Sequence, residues 1–329
     1  MPVYNNAAHI TQAVDSILNQ TFKDFELLVI NDKSTDVTLI KLKKYTDPRI
    51  IIIENEQNIG RAGCDNIAIR LAKGEYIAKM DGDDICHPQR LELQLNILKR
   101  YSNINVVGSS MQNFGYSNYL NIYPESPELA KCQTLFTLPV GNPSVMMRST
   151  LFSEKKMVYN ESYRQSEDLD FFSRYINQLH IFNLRNPLIQ YRTYQDSAKA
   201  GILSDREKTA LKIQYDLLKQ WGIPFSSEEF NIHSFISSKG RMELTDQNFK
   251  LINDWLHKLK THNEVVPWFD NFSLNKTLAS KWFDTCYNNC KRNNNALKIF
   301  KKYNGTLGET HELTPRVKLK FYIKNWLHA

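Results

Sequence analysis

Gly74-Glu75-Tyr76-Ile77-Ala78-Lys79-Met80-Asp81-Gly82-Asp83-Asp84 is the stretch on which the reading of this chain turns. Glu75 to Met80 has the length and apolar content of a short strand, and it runs directly into three carboxylates within four positions. Like charges this close repel, so a buried cluster of this kind needs a cation or a set of hydrogen-bond donors. In an open α/β sheet, ligands bind beyond the carboxyl ends of the strands, and a strand ending in Asp-x-Asp presents hard oxygen ligands there. Such oxygens suit Mg²⁺ or Mn²⁺ bridging to substrate phosphates. The plain alternative is a solvated acidic turn, since Asp and Gly are ordinary turn formers. The flanking sequence decides between the two.

Upstream, apolar runs of strand length alternate with helical spacings. Pro2-Val3-Tyr4-Asn5 reads as the end of a strand entering a loop, and Ile10, Ala13, Val14, Ile17 and Leu18 share one helix face. Phe25 to Ile30 is a dense apolar run ending in the polar stretch Asn31 to Asp36, as a buried parallel strand reads. A helix over 37–45, a strand over 50–54 and a helix over 59–72 follow, ahead of the strand at 75–80. This alternation predicts an α/β fold with a doubly wound, mostly parallel sheet flanked by helices. Right-handed crossovers put the loops at 2–6, 31–36 and 81–84 on one edge, and that convergence argues for a nucleotide site. Downstream, a helix over 87–100, a strand over 106–112 and a short buried strand within Asn142 to Arg148 are expected. A helix then opens at Glu167-Asp168, with Phe171, Phe172 and Tyr175 on its apolar side. The helix dipole favours carboxylates in a first turn, an ordinary account of Glu167 and Asp170.

Pro2-Val3-Tyr4-Asn5, the run from Ser16 to Asp36, Asn58-Ile59-Gly60, Gly74 to Ile77, Asp81 to Asp84 and Glu167-Asp168 together resemble family 2 glycosyltransferases of the GT-A fold. The likeness keeps that family's order and spacing over residues 1–200. It implies that Tyr4, beside Pro2, stacks on the nucleotide base, that Asp32 bonds the uracil edge, and that Asp81 lies near the ribose and diphosphate. Asp83 would ligate the divalent metal, and Asp168 would be the general base. Asn142 to Arg148 resembles the family's stretch bordering the acceptor site, and Glu167 is assigned to that side. The implied activity is an inverting, metal-dependent transfer from a nucleotide diphosphate sugar, a uridine diphosphate sugar foremost, to a glycan or lipid-linked acceptor in surface polysaccharide biosynthesis. The chemistry agrees, since a hard cation neutralises a departing diphosphate and a carboxylate takes the proton of the attacking hydroxyl.

Three features depart from the family pattern. Relatives carry a full apolar strand before the Pro-Val-Tyr segment, so an upstream stretch completing that strand is expected. Asp65 stands where many relatives have Arg, which predicts altered phosphate contacts from that helix. Tyr194 stands where relatives often place His, which predicts weaker metal binding.

Of the 329 residues, 42% are hydrophobic and 23% charged, an ordinary globular balance that can bury a sizeable core. No run nears the roughly 20 apolar residues of a membrane span, and no signal-peptide pattern opens the chain. Five scattered cysteines fit a reducing, cytoplasmic setting, with Cys286 and Cys290 read as a structural pair on one helix face. From residue 201 to 329 the spacing is mainly helical, with helices expected over 206–221, 226–237, 246–259, 278–290 and 295–303. Nine basic residues against two acidic ones lie from Lys291 onward, so that stretch carries the whole net charge of +7. A basic tail on a neutral body points to a local anionic partner and away from nucleic acid. Residues 315–327 mix lysines with aromatics, which suits either a helix lying on the anionic inner face of the cytoplasmic membrane or one docked on the body. Two other functions remain in view. A sugar-phosphate nucleotidyltransferase would carry a glycine-rich basic loop near its start, unlike Pro2 to Asn6; a catalytically impaired nucleotide-sugar-binding or assembly module is the other.

Overall fold

The structure, a computed structural model, describes residues 1–195, 200–237, 242, 245–289, 295–303, 307 and 315–326. The chain divides into two compact units, Met1–Thr134 with Leu138–Thr209, and Leu135–Thr137 with the residues from Ala210 onward.

The first unit begins with the alternation read from the sequence: β1 Pro2–Val3, α1 Ile10–Leu18, β2 Leu27–Asn31, α2 Thr38–Leu42, β3 Ile50–Glu54, α3 Gly60–Leu71 and β4 Tyr76–Ala78. β1, β2 and β3 pair in parallel, with Pro2 opposite Ile30 and Leu27 opposite Ile50. β2 is buried along its whole length, as a parallel strand inside an α/β layer must be, and α1 packs Ile10, Ala13, Val14 and Ile17 inward. β1 is only two residues long. Before it, the Met1 ammonium donates to Leu28 O at 2.8 Å, and a groove of about 870 Å³ is lined by Leu27 and Leu28 on one side and Tyr76, Ile77 and Ala78 on the other. β1 and β4 share no ladder, so the strands fall into one sheet of three and one of six.

The chain continues through β5 Ile85–Cys86, α4 Arg90–Arg100, β6 Val106–Gly115, β7 Leu120–Asn121, α5 Pro127–Thr134, a 3-10 turn Asn142–Ser144, β8 Met146–Arg148, α6 Thr150–Ser153, α7 Glu167–Arg174 and β9 Ile181–Thr193. The larger sheet runs β4-β8-β6-β9-β5, with β7 on the edge of β6. Among the described residues of this sheet only β6 and β9 pair in parallel; the remaining pairs are antiparallel. The α/β architecture is as expected, with more antiparallel pairing than its first half suggests. β9 escapes a pattern reading because Asn183, Arg185, Asn186 and Pro187 break its apolar run. A register shift at Ser109/Ser110, which sets Ser110 against Pro187, absorbs the residue that cannot donate to a ladder.

The second unit is helical. It takes the later part of α8 Ala200–Trp221, then α9 Ser227–Ile236, α10 Asp246–Val265, α11 Asn271–Asn288, α12 Ala296–Tyr303 and α13 Pro315–Trp326. Gly222, at φ +79°, ends α8 as a glycine cap. Ser226 and Glu229 form a reciprocal capping box on α9. α11 starts earlier than its apolar spacing predicts because Asp270 caps it, accepting the Ser273 N–H at 2.8 Å. Trp221, Trp255, Trp282, Phe249 and Phe321 are fully buried. Phe321 of α13 packs against Phe283, Tyr287 and Phe300, and Lys324 Nζ donates to Tyr287 O at 2.8 Å, while Leu319, Tyr322 and Ile323 stay exposed. One side of the basic helix is therefore docked on the body. Cys286 is buried; Cys290 and Leu327 lie outside the described residues. Among the described residues no helix is long and apolar enough to cross a membrane.

Candidate active site

Three strand-tip loops are tied together at one edge of the first unit. Asn5 adopts φ +52° and its Oδ1 accepts the Thr35 N–H at 2.8 Å and the Asp36 N–H at 3.3 Å, which joins the loops after β1 and β2. At Gly82 a methyl group would sit 2.7 Å from Val3 Cγ1 and 3.2 Å from Asn6 Oδ1, so the acidic loop closes onto β1 only because this residue lacks a side chain. Asp32, at the end of β2, accepts from Asn55 Nδ2, Ile59 N–H and Gly60 N–H at 2.8–2.9 Å. The carboxylate expected at the base edge thus also clamps the loop that opens α3.

Within the acidic loop, one oxygen from each of Asp81, Asp83 and Asp84 lies within 4.8 Å of the others. Asp81 Oδ2 accepts from Arg61 Nη1 at 2.8 Å, Asp83 Oδ2 from the Tyr194 hydroxyl at 2.7 Å and Asp84 Oδ1 from the Arg192 N–H at 2.7 Å. Asp81 Oδ1 and Asp84 Oδ2 are buried and have no hydrogen-bond partner among the described residues. Burial, then the neighbouring Asp81, pushes the Asp84 carboxyl up to about 8. Crowded hard oxygens with orphaned lone pairs fit a small divalent cation, Mg²⁺ or Mn²⁺.

From this cluster Arg61 leads across to α7, with its Nε 3.8 Å from Glu167 Oε1. Ser166, at φ +61°, turns the chain so that Glu167 and Asp168 open that helix. Burial and then the adjacent Asp168 push Glu167 up to about 7. Asp168 is half-buried, and its Oδ1 accepts the Leu169 N–H at 2.8 Å. Two phenols feel these acids. Burial and then Asp81 raise Tyr191 to about 12, and burial followed by Asp168 and Tyr191 raises Tyr123.

Arg61 therefore ties Asp81, which clusters with Asp83 and Asp84, to Glu167, with Asp168 next in chain to Glu167 and Asp32 holding the N–H of Gly60, the residue before Arg61. Tyr4 presents a ring that is 49% exposed, and Pro2 is paired into β1. Asn142 opens the 3-10 turn; its carboxamide is buried with neither atom bonded among the described residues. Among the described residues no hydrogen bond joins Tyr4 or Asn142 to the acidic cluster. Sequence reading passed over Arg61, although it follows Asn58-Ile59-Gly60 directly, and it gave Asp84 no role of its own, although its charge was in plain view. Of the departures, Asp65 is committed to Lys79 Nζ at 2.5 Å, and Tyr194 reaches Asp83 in place of an imidazole.

Residues 1–153 match the family described as Glycosyl transferase family 2. An uncharacterized glycosyltransferase of Haemophilus influenzae is 28% identical over 316 residues, which cover 91% of this chain and 94% of the relative. One from Methanocaldococcus jannaschii is 32% identical over 230 residues, 67% of this chain and 78% of the relative. The Escherichia coli UDP-Glc:alpha-D-GlcNAc-diphosphoundecaprenol beta-1,3-glucosyltransferase WfgD is 27% identical over 220 residues, covering 66% and 83%. Among solved structures, S. aureus TarS 1–349 in complex with UDP-GlcNAc superposes with a TM-score of 0.57 at 18% identity, over 95% of this chain and 92% of that one, which shows a shared GT-A-type fold. Fold, relatives and the order of the strand-tip acids agree, and this chain belongs to glycosyl transferase family 2.

Proposed function

We propose that the chain transfers a hexosyl or N-acetylhexosaminyl group from a uridine diphosphate sugar to a hydroxyl of a glycan or lipid-linked acceptor, with inversion, in surface polysaccharide biosynthesis. The observation that carries this reading is the acidic cluster with two orphaned oxygens, joined by a single guanidinium to the Glu167-Asp168 pair. The E. coli relative, named for a UDP-linked donor and a diphosphoundecaprenol acceptor, supports the choice of substrates.

In this scheme the exposed Tyr4 ring stacks on the base, and Asp32 holds the loop beneath it while offering a remaining lone pair to the uracil N–H. Asp81 lies toward the ribose and diphosphate. Asp83, with Asp81 and Asp84 beside it, holds a divalent cation, which when bound supplies charge neutralisation to the departing diphosphate. Asp168 accepts the proton of the acceptor hydroxyl as its oxygen attacks the anomeric carbon from the face opposite the leaving group, which inverts that centre. Asn142 and Glu167 lie on the acceptor side, and the unbonded Asn142 carboxamide suits a sugar hydroxyl. Residues 1–200 form the catalytic domain and 201–329 a helical region. The basic excess of the latter and the exposed Leu319, Tyr322 and Ile323 suit contact with an anionic membrane from the cytoplasmic side.

Calorimetry with UDP, GDP and dTDP, with and without Mn²⁺, followed by transfer assays with the matching sugars, tests the proposal. Tight Mn²⁺-dependent binding of UDP is expected. Preference for another nucleotide, or binding indifferent to the cation, overturns the donor or the metal assignment respectively.

A further inference from the structure

Arg61 occupies an unfavourable place for a cation. It is the second residue of α3, and a helix N-terminus carries the positive end of the dipole, where basic side chains are disfavoured. Asp81 at 2.8 Å and Glu167 at 3.8 Å offset that cost, yet the side chain remains 42% exposed. Of its five N–H donors, one is spent on Asp81, and Nη2 makes no hydrogen bond among the described residues. Two of the other cations nearby are committed. Lys79 is held by Asp65, and Arg192 donates to Asp83 O and to Gln12 Oε1 while its guanidinium lies over the Phe114 ring. A site that carries Asp81, Asp83, Asp84, Glu167 and Asp168 repels a nucleoside diphosphate unless positive charge faces the phosphates, from a bound cation and from a fixed side chain beside it.

We propose that Arg61 is the diphosphate clamp of this site, a binding residue whose free N–H fork takes phosphate oxygens of the donor while Asp81 and Glu167 hold it in place. A planar guanidinium pairs with phosphate oxygens two at a time, which a lone ammonium does not do. The proposal rests on the nucleotide-sugar reading and deepens it by naming the group that separates a diphosphate from a monophosphate.

The test compares uridine, UMP and UDP by calorimetry with Mn²⁺ present, for the wild-type chain, Arg61→Ala and Arg61→Lys. The wild-type chain should bind UDP more tightly than UMP. Arg61→Ala should lose about 10- to 100-fold in UDP affinity and stay within about twofold for uridine and UMP, the scale of one or two charge-assisted hydrogen bonds. Arg61→Lys, which keeps the charge and guards against misfolding of the alanine variant, should recover part of the loss. UDP affinity should also depend less on salt in Arg61→Ala. Equal losses for all three ligands would assign Arg61 to holding the fold together, and unchanged UDP binding would remove it from the site; either overturns the clamp. A wild-type chain that binds no nucleoside diphosphate overturns the donor reading itself and the clamp with it.

Discussion

Lys79 Nζ lies 2.5 Å from Asp65 Oδ2 with both side chains buried, two residues before the acidic cluster begins. The ammonium also sits over the Tyr159 ring at 4.3 Å. Burial alone would discharge Lys79, but Asp65 and its neighbours outweigh that penalty and raise its pKa. The pair fastens α3 to the strand that carries the cluster, and its worth depends on both partners. Asp65→Ala, which strands a buried ammonium, should cost about 3–5 kcal/mol, whereas Asp65→Leu combined with Lys79→Met should recover most of it. Denaturant unfolding of the parent and the two variants measures this; an Asp65→Ala variant as stable as the parent would show the pair to be dispensable.

Asp168 is half-buried, and among the described residues only its Oδ1 is used, by the Leu169 N–H, which leaves an oxygen for the proton-acceptor role proposed above. Asp168→Asn should lower kcat by about 10²–10⁴ while UDP affinity changes by less than about twofold. Turnover near the parent rate would move the base elsewhere.

On the metal reading proposed above, the Asp83 carboxylate would be shared between a cation and Tyr194. Its hydroxyl donates to Asp83 Oδ2 at 2.7 Å, so a metal bound there must displace or share it. Tyr194→Phe should tighten Mn²⁺ binding by about 2- to 10-fold, the worth of one ordinary hydrogen bond. Asp83→Ala should remove the Mn²⁺-dependent part of UDP affinity. Titration of Mn²⁺ followed by its paramagnetic resonance signal reads both. Weaker binding in Tyr194→Phe would make the phenol a helper of the site and not a competitor.

The α13 helix separates two roles along its length. Phe321 is fully buried among Phe283, Tyr287 and Phe300, so Phe321→Ala should destabilise the second unit by about 3–5 kcal/mol. Changing the exposed Leu319, Tyr322 and Ile323 to Ser together should leave stability nearly intact and reduce co-sedimentation with anionic vesicles. Undiminished sedimentation would free this face from the membrane reading.

What could be read from the chain was set by what repeats along it. Buried parallel strands such as Leu27–Asn31 and the helix Ile10–Leu18 announce themselves through local apolar spacing, and Asp81, Asp83, Glu167 and Asp168 through charge packed into short runs. β9 did not, because its apolar residues are interrupted by Asn, Arg and Pro, and its partner β6 lies 75 to 78 positions away in the chain. Arg61 was invisible for a related reason. A lone arginine in a first helical turn has no local signature, and its importance comes from Asp81 and Glu167, which only the folded chain brings to it. Tyr194 likewise gains its meaning from Asp83, on another strand tip.

Glu167 gives the fold a pH dependence whose sign follows from its surroundings. Burial and then Asp168 raise its carboxyl from 4.5 to about 7, against the pull of Arg61 and Lys79. The folded state therefore holds this proton more tightly than the unfolded chain does. Stability from this group is complete below about 4.5 and falls as pH rises toward 7, because the folded state must then ionise a carboxyl that the unfolded chain ionises freely. Glu167→Gln removes the cost. The variant should match the parent below about pH 4.5, gain on it as pH rises, and exceed it by about 1–3 kcal/mol above pH 7. Asp84, raised from 3.8 to about 8 chiefly by its own burial, slopes the same way, so the comparison belongs in an Asp84→Asn background with chelator present. Urea unfolding across this range reads the difference. A parent chain that gains stability relative to Glu167→Gln as pH rises would show that Arg61 and Lys79 prevail over burial, and that Glu167 is ionised beside Asp168 throughout.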